Sequence, residues 1–430
     1  MINFIKNWVK ERTFYNISIV LFENILSKGL NFILVILLAR TLGPEKYGIY
    51  SFITVSILFI SIFFDFAMEN SAVRFSGKYQ NKREEIFGIY ILFKTGMLMI
   101  FFFLFFLFPD AIGVLLNKPI IRKYLLIIFL GGMIESYQYI ITTYLQSCEK
   151  FLLRAIINTG VFFIRLSSII LLLSLSEFDI RIISLFFALS GAPFLFVFSK
   201  YFINFLRKLI LNKISIGLFK EIFHYGKWLV LGAIAMNIMT RIDFYLVTYF
   251  FSFREMGLYN TAVQLTSPVA LFSLVFGKVL LPKVSKYSTL NQIKSYLKKV
   301  IRLGITILAS GILIIPFSKL IILFIFGDKY AEAGGVFTIL LISSLFTLCN
   351  VMLGIAFYSL GHSKLMAIGA YVKLFIFLGC SLFLIPALGM EGAALSKMIG
   401  TIAYLCITIL FLLRLIYGKG PKITSIYRGK

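Results

Sequence analysis

Runs of mostly apolar residues recur along this chain from end to end, separated by short polar connections. A helix rises about 1.5 Å per residue, so about 20 such residues cover the roughly 30 Å of hydrocarbon in a bilayer. The runs are continuously apolar rather than alternating, and they are too long for barrel strands. In hydrocarbon every backbone polar group needs a partner within its own segment, and a helix supplies one. The pattern predicts an all-α polytopic membrane protein with about 12 transmembrane helices. They fall near 16–40, 47–69, 86–108, 124–146, 153–175, 181–203, 227–250, 257–281, 301–323, 334–358, 364–386 and 391–414. No outside loop exceeds about fifteen residues, so no separate soluble domain is expected.

Composition agrees with the pattern. Of 430 residues, 60% are hydrophobic and 14% charged, where a soluble domain is about half apolar and a quarter charged. The net charge of +25 would suggest nucleic acid in a soluble protein. Its distribution removes that reading. More than half of the 43 lysines and arginines lie in the two tails and in the loops after spans 2, 4, 6, 8 and 10. The positive-inside rule then puts both termini in the cytoplasm of a multi-pass inner (plasma) membrane protein. The basic start MINFIKNWVKER leads into a full-length span, so no cleavable signal is expected. The loop Arg207–Trp228 mixes cations with Ile, Leu, Phe and Trp. It reads equally as an amphipathic segment on the inner leaflet or as a basic linker between two halves.

Little points to catalysis. Cys148, Cys349, Cys380 and Cys406 form no disulfide framework and have no metal-ligand spacing. His224 and His362 are far apart beside basic loops and read as solvated residues. No nucleophile–base pair, phosphate loop or metal cluster stands out. The expectation is no enzyme, no metal and no cofactor.

The chain also resembles itself at an offset of roughly 209 residues. Tyr47-Gly-Ile-Tyr50 matches Met256-Gly-Leu-Tyr259, and Lys94-Thr-Gly96 matches Arg302-Leu-Gly304. Pro109 falls near Pro316, Asn117-Lys118 near Asp328-Lys329, and Ala155-Ile156 matches Ala367-Ile368. Six spans on each side of the midpoint give parallel repeats, a known transporter plan with the substrate path between the halves. The expected lobes are 1–212, with helices 1–6, and 213–430, with helices 7–12.

A charge at mid-bilayer costs at least roughly 2.5–3.5 kcal/mol on the insertion scale, yet the predicted spans hold several. They are Lys28, Asp65, Glu69, Lys94, Glu135, Arg165, Arg241, Asp243, Lys278, Lys373 and Lys397. Those near span ends, such as Glu69 and Lys278, can snorkel. Central ones need a polar cavity. Helical spacing groups polar residues on single faces: Asn24, Lys28 and Asn31; Glu135, Gln138, Thr142 and Gln146; Asn237, Arg241 and Thr248; Asn260, Gln264 and Ser267; Ser343, Thr347 and Asn350. Such stripes either line a wet space or hydrogen-bond between helices, the latter worth about 1 kcal/mol each. The expected cavity is lined by Asn24, Asn31, Gln138, Asn237, Gln264 and Asn350. Its cations Lys28, Arg165 and Arg241 suit an anionic substrate, since charge-assisted hydrogen bonds to phosphate oxygens are strong. Asp65, Glu135 and Asp243 are candidates for charge pairing or for a coupling ion.

Four stretches in order carry a family resemblance: SKGLNFILVILLARTLGPEKYGIYSF, RIDFYLVTYFFSFREMGLYNTAVQLTSPVALFSLVFGKVLLPKVSKY, PFSKLIILFIFGDKYAEAG and IPALGMEGAALSKMIGT. They resemble the polysaccharide-biosynthesis (O-antigen, lipid-linked oligosaccharide) flippase family of the multidrug/oligosaccharidyl-lipid/polysaccharide exporter superfamily. The resemblance spans nearly the whole chain. It implies two six-helix lobes of MATE-like type, working by alternating access. The implied activity moves a polyprenyl-diphosphate-linked oligosaccharide from the cytoplasmic to the outer leaflet. Implied partners are that substrate, membrane lipids, a proton or sodium counter-ion and the polysaccharide polymerase machinery, with no nucleic acid. Cavity charges matter in the family, and Lys28, Arg165, Arg241 and Asp243 are the best-placed counterparts, although only Asp243 sits in a recognisable motif. Arg40, Gly43 and Gly48 match the family's first signature and read as structural, as a tight turn and an interface anchor. Peptidoglycan-precursor flippases usually have two further spans and a different first-span pattern. The rival readings are a drug or metabolite antiporter of the same superfamily and a membrane-embedded polymerase or glycosyltransferase. A cationic drug favours an acidic cavity, and the enzymes need a large outside loop or acidic metal motifs that this chain lacks.

Overall fold

The computed structural model describes residues 2–66, 68–175, 179–211, 216–284, 287, 290–359 and 363–417. His362, the C-terminal tail and the side chain of Lys278 lie outside the described residues. Among the described residues the chain is helical and holds no strand. It divides into two compact units, Met1–Tyr249 and Phe250–Lys430.

Unit 1 begins with α1 (Ile2–Phe63), which bends at Gly43 (φ 74, ψ 170). A positive φ is open to glycine at little cost, and Pro44, which follows, has no N–H to continue the ladder. The sequence predicts two spans here, and the bend separates them. After α2 (Met68–Lys78) and α3 (Arg83–Leu107) comes the short α4 (Ala111–Leu115), then α5 (Leu125–Ser147) and α6 (Phe151–Ser174). The predicted sixth span is in pieces: α7 (Ile180–Leu189), α8 (Ala192–Val197) and α9 (Ser199–Leu211). α10 (Ile216–Phe250) closes the unit. α1 packs on α5, α6 and α7, with Leu34, Leu38 and Ile53 buried between them. Gly131 and Gly132 allow α5 to come close. A Cβ there would lie 2.7 Å from Cδ1 of Ile57 and 2.8 Å from Cγ2 of Ile60. Small residues at such contacts are how membrane helices gain packing when lipid is as apolar as their own side chains.

At its basic end, α3 buries Phe87 and Tyr90 in a cluster with Ile140, Leu145 and Phe205. Leu218 and Ile222, one turn apart on α10, join this cluster, while Phe219 and Phe223 stay exposed. The start of α10 is therefore a two-sided apolar helix docked by one face. Lys78 reinforces it, its ammonium 2.7 Å from Oε1 of Glu221. That hydrogen bond holds the Glu221 carboxyl below the usual carboxylate range and raises the Lys78 ammonium.

Unit 2 holds α11 (Phe253–Val284), α12 (Leu290–Ile312), α13 (Ser318–Phe326), α14 (Ala333–Ser359) and α15 (Ser363–Tyr417). α14 is its centre and packs on the other four. α15 bends at Gly389 (φ 63, ψ −140), with Pro386 just before. Two polar rungs join α14 to α15. Ser343 donates to Thr401 at 3.4 Å, and Thr408 donates to Oδ1 of Asn350 at 2.9 Å. Both rungs step seven residues along each helix, so they share one face. In the first turn of α11, Arg254 grips Glu332 with both terminal guanidinium nitrogens, at 2.9 and 2.8 Å.

Eight helical segments among the described residues are long and apolar enough to cross a membrane. Two of them, Tyr15–Phe63 (49 residues) and Ile368–Leu415 (48 residues), carry the bends at Gly43 and Gly389.

Gly43→Ala should cost about 1–2 kcal/mol, because an L side chain is forced to a positive φ. Gly29→Ala, in a helix with open space around it, should be neutral or stabilising by up to about 1 kcal/mol. Thermal unfolding in detergent micelles compares the two. Equal effects would remove the bend at Gly43 from the account of α1.

Candidate functional site

Unit 1 buries three charged clusters. The first joins the end of α1 to α3. Asp65 Oδ1 accepts from the Tyr90 hydroxyl and lies 3.5 Å from Nζ of Lys94. Lys94 also donates to the carbonyl of Ser61. Tyr90 and Lys94 are four residues apart on α3, so one helix face presents both groups to Asp65. Asp65 Oδ2 accepts the backbone N–H of Glu69 at 3.2 Å, and Tyr139 on α5 donates to the Glu69 carboxylate. Lys94 is wholly buried. It lies far from any surface where its charge could be hydrated, so Asp65 is what allows it there.

The second cluster joins α5, α6 and α7. Arg165 is hydrogen-bonded to Glu135, and its Nε donates to Ser190 at 2.8 Å. Its guanidinium carbon sits 3.8 Å from the ring centre of Phe187. A planar guanidinium can satisfy a carboxylate, a hydroxyl and an aromatic face at once. Gln138 is buried one turn from Glu135, and its Oε1 has no partner among the described residues.

The third cluster does not stand out in the spacing of polar residues. Glu23 is buried on α1, where its Oε1 accepts from Asn158 of α6 and lies 3.9 Å from Nε of Arg154. Glu23 and Ser27 form their own i, i+4 face beside the Asn24–Lys28–Asn31 stripe. A search for every polar pair four apart, rather than for the longest stripe, would have found them.

The remaining expected residues stand outside these three clusters. Lys28 is half-buried and has no hydrogen-bond or ion-pair partner among the described residues. Asn24 turns back on its own helix and donates to the Val20 carbonyl at 2.6 Å. Asn31 and Gln264 are half-buried. Arg241 on α10 is half-buried, within electrostatic range of Asp243 and Tyr245. Asp243 is wholly buried, its Oδ1 accepting the N–H of Phe244 at 3.1 Å. Asn237 donates to the Ile62 carbonyl of α1 at 3.3 Å. Asn350 lies in the α14–α15 packing as a rung. The structure thus pairs Asp65 with Lys94 and Glu135 with Arg165.

Unit 1 also holds an open apolar cavity of about 620 Å³. It is lined by Phe52, Ser56 and Phe59 of α1, by Phe101 and Phe105 of α3, and by Ile238, Ile242, Tyr245 and Leu246 of α10. Tyr245 donates to Ser56 at 3.1 Å, so the polar atoms of this pair satisfy each other. Among the described residues no group of three or more His, Cys, Asp or Glu side chains gathers to hold a metal.

Residues 14–288 match the family described as "Polysaccharide biosynthesis protein". The chain is 24% identical over 376 residues to a "Putative O-antigen transporter" of Shigella flexneri, covering 84% of this chain and 88% of that one. Its fold is similar to that of a lipid II flippase MurJ in an inward closed conformation. The TM-score is 0.71 at 16% identity, over 91% of this chain and 86% of that one. An inward-facing multidrug resistance MATE family transporter of the MOP superfamily gives a TM-score of 0.66 at 12% identity, over 91% and 94%. These likenesses show the fold: an all-α polytopic membrane fold of MATE and MurJ type.

Lys94→Met should destabilise by about 3–5 kcal/mol, because it leaves the Asp65 carboxylate buried without its cation. The double variant Asp65→Asn/Lys94→Met should recover at least half of that loss. Unfolding in micelles reads both. A double variant no more stable than the single one would show that the two charges are not coupled.

Proposed function

The chain belongs to the polysaccharide biosynthesis protein family, and from that premise we propose that it is a flippase of the MOP superfamily for lipid-linked oligosaccharides. It carries a polyprenyl-diphosphate-linked surface-polysaccharide unit from the cytoplasmic to the outer leaflet by alternating access. The whole-chain likeness to a putative O-antigen transporter supports that substrate class. The MATE likeness, at 12% identity, speaks to fold and not to drugs.

The observation that carries the reading is Lys28. Its half-buried ammonium, on a helix apolar enough to span the membrane, has no carboxylate partner among the described residues. A cation kept in that position without a counter-ion is suited to an anion that comes and goes. Arg241 is the second cation of this reading, and it differs from Lys28 in having Asp243 within electrostatic range. The Glu135 and Ser190 bonds of Arg165 support giving it a positioning role in this reading. In the proposed cycle the diphosphate is met by Lys28 and Arg241, and the oligosaccharide by polar groups such as Asn31 and Asn237. Asp65 and Asp243 are the candidates for a coupling proton or sodium ion.

A pass count of about 12 is part of the same reading. The bends at Gly43 and Gly389 divide two of the eight long segments into two arms each, and α10 and α11 supply two more helices. The break between α10 and α11 at Phe251–Ser252 follows the Gly43 bend by the same roughly 209 residues as the sequence repeat. That supports two six-helix halves. An even number of passes keeps both termini on the basic, cytoplasmic side.

Purified protein in proteoliposomes should flip a polyprenyl-diphosphate oligosaccharide. A charge-assisted hydrogen bond is worth about 1.5–3 kcal/mol, so Lys28→Met/Arg241→Met should lower flipping by more than about tenfold while membrane insertion is kept. Wild-type rates in the double variant would refute the assignment of these cations. Flipping that ignores both proton and sodium gradients would remove the coupling role of Asp65 and Asp243.

A further inference from the structure

We infer that the apolar cavity of unit 1 seats part of the prenyl chain of the transported lipid while its diphosphate is held at Arg241. The inference rests on the flippase reading and goes beyond it, because it takes the chain out of bulk lipid and gives it a place on the protein.

The wall contributed by α10 is one helix face. Ile238, Ile242, Tyr245 and Tyr249 follow each other at three- and four-residue steps and all line the cavity. Phe52 and Phe59 pack edge-on against Tyr245, with ring centroids 5.7 and 5.6 Å away, and with Phe101 they complete the lining. The polar atoms of the Ser56–Tyr245 pair are bonded to each other at 3.1 Å, so neither asks an occupant for a hydrogen bond. Water needs two to four polar partners, and this lining offers few. A volume of about 620 Å³ is in the range of true ligand sites. The complement of such a space is hydrocarbon.

Arg241 decides which hydrocarbon. It lies between Ile238 and Tyr245, on the flank of the cavity-facing stripe, and within electrostatic range of Tyr245. The cavity reaches the far end of α3, at Phe101 and Phe105, whereas α3 starts at the basic end with Arg83. By the positive-inside assignment the cavity belongs to the outer half of the membrane. Arg241 is near its inner rim, about the middle of α10's crossing. An ordinary outer-leaflet phospholipid is oriented the other way, with its head group at the surface and its tails at the middle. An anion at mid-membrane with its chain running outward is a lipid in transit. The prenyl diphosphate of the proposed substrate is that molecule.

The test uses the full chain in nanodiscs and a long-chain polyprenyl diphosphate with a diazirine in an early isoprene unit. After illumination, label should concentrate on peptides holding Phe101–Phe105 and Ile242–Tyr249. Excess unlabelled polyprenyl diphosphate should remove it, and the same excess of phosphatidylglycerol should not. Label spread over all lipid-facing helices, or erased equally by phosphatidylglycerol, would overturn the seat. Leu246→Trp, which fills the cavity, should lower both labelling and flipping about tenfold with the unfolding temperature kept. Unchanged labelling in that variant would also overturn it. The two readings fail separately. A labelled cavity in a wild type that flips nothing upholds a prenyl-diphosphate seat and sinks the transport reading. A wild type that flips but labels elsewhere sinks only the seat.

Discussion

Hydrocarbon solvates neither a peptide group nor a charge, and the whole structure follows from that. Helices are the answer for the backbone, since each N–H finds its carbonyl within the same segment. The charges need a second answer. In unit 1 several are gathered into local sets of a carboxylate, a cation and a neutral donor, as Asp65, Lys94 and Tyr90 are. Each set also ties helices together: α1 to α3, α5 to α6 and α7, and α1 to α6. The groups that are hardest to bury therefore become the specific contacts of a bundle whose remaining surface is non-directional.

Apolar packing alone discriminates poorly between partners in lipid. Close approach through Gly131 and Gly132 and polar rungs such as Thr408–Asn350 add direction. The described contacts of unit 2 include these neutral rungs and the bidentate clamp of Arg254 on Glu332, and those of unit 1 include buried ion pairs.

Much of the fold was legible in the chain. Continuous apolar runs gave the helices, and the first and last pairs of spans are where the bends at Gly43 and Gly389 divide long helices. The fragmentation of the sixth span into α7, α8 and α9 was not read. Its first interruption falls at Ser190-Gly191-Ala192-Pro193, a glycine and proline signal that apolar run length passes over, whereas the break at Phe198 has no such signal. The site was legible in its residue types but not in its pairings. Asp65, Glu135 and Arg165 stood out as charges in spans, yet whom they meet depends on helix neighbours that periodicity does not specify. Glu23 was passed over because a longer stripe ran beside it. Asn350 belonged to a stripe that serves helix packing, an outcome that spacing alone leaves open.

Partner assignment changes what a buried cation means. Lys94 and Arg165 each face a carboxylate, so their charge serves to hold helices in place. Lys28 has no such partner among the described residues, and Arg241 has Asp243 nearby on its own helix. A transporter for an anionic lipid needs both kinds. Fixed pairs keep the bundle intact as it changes state, because separating a buried pair costs several kcal/mol. The proposed cycle gives Lys28 and Arg241 the task of binding and releasing the diphosphate. The same division accounts for the apolar cavity beside Arg241. A cation that must take an anionic head group carrying a long hydrocarbon chain works best where that chain has an adjoining dry surface, and Ile238, Ile242 and Tyr245 provide one on the same helix.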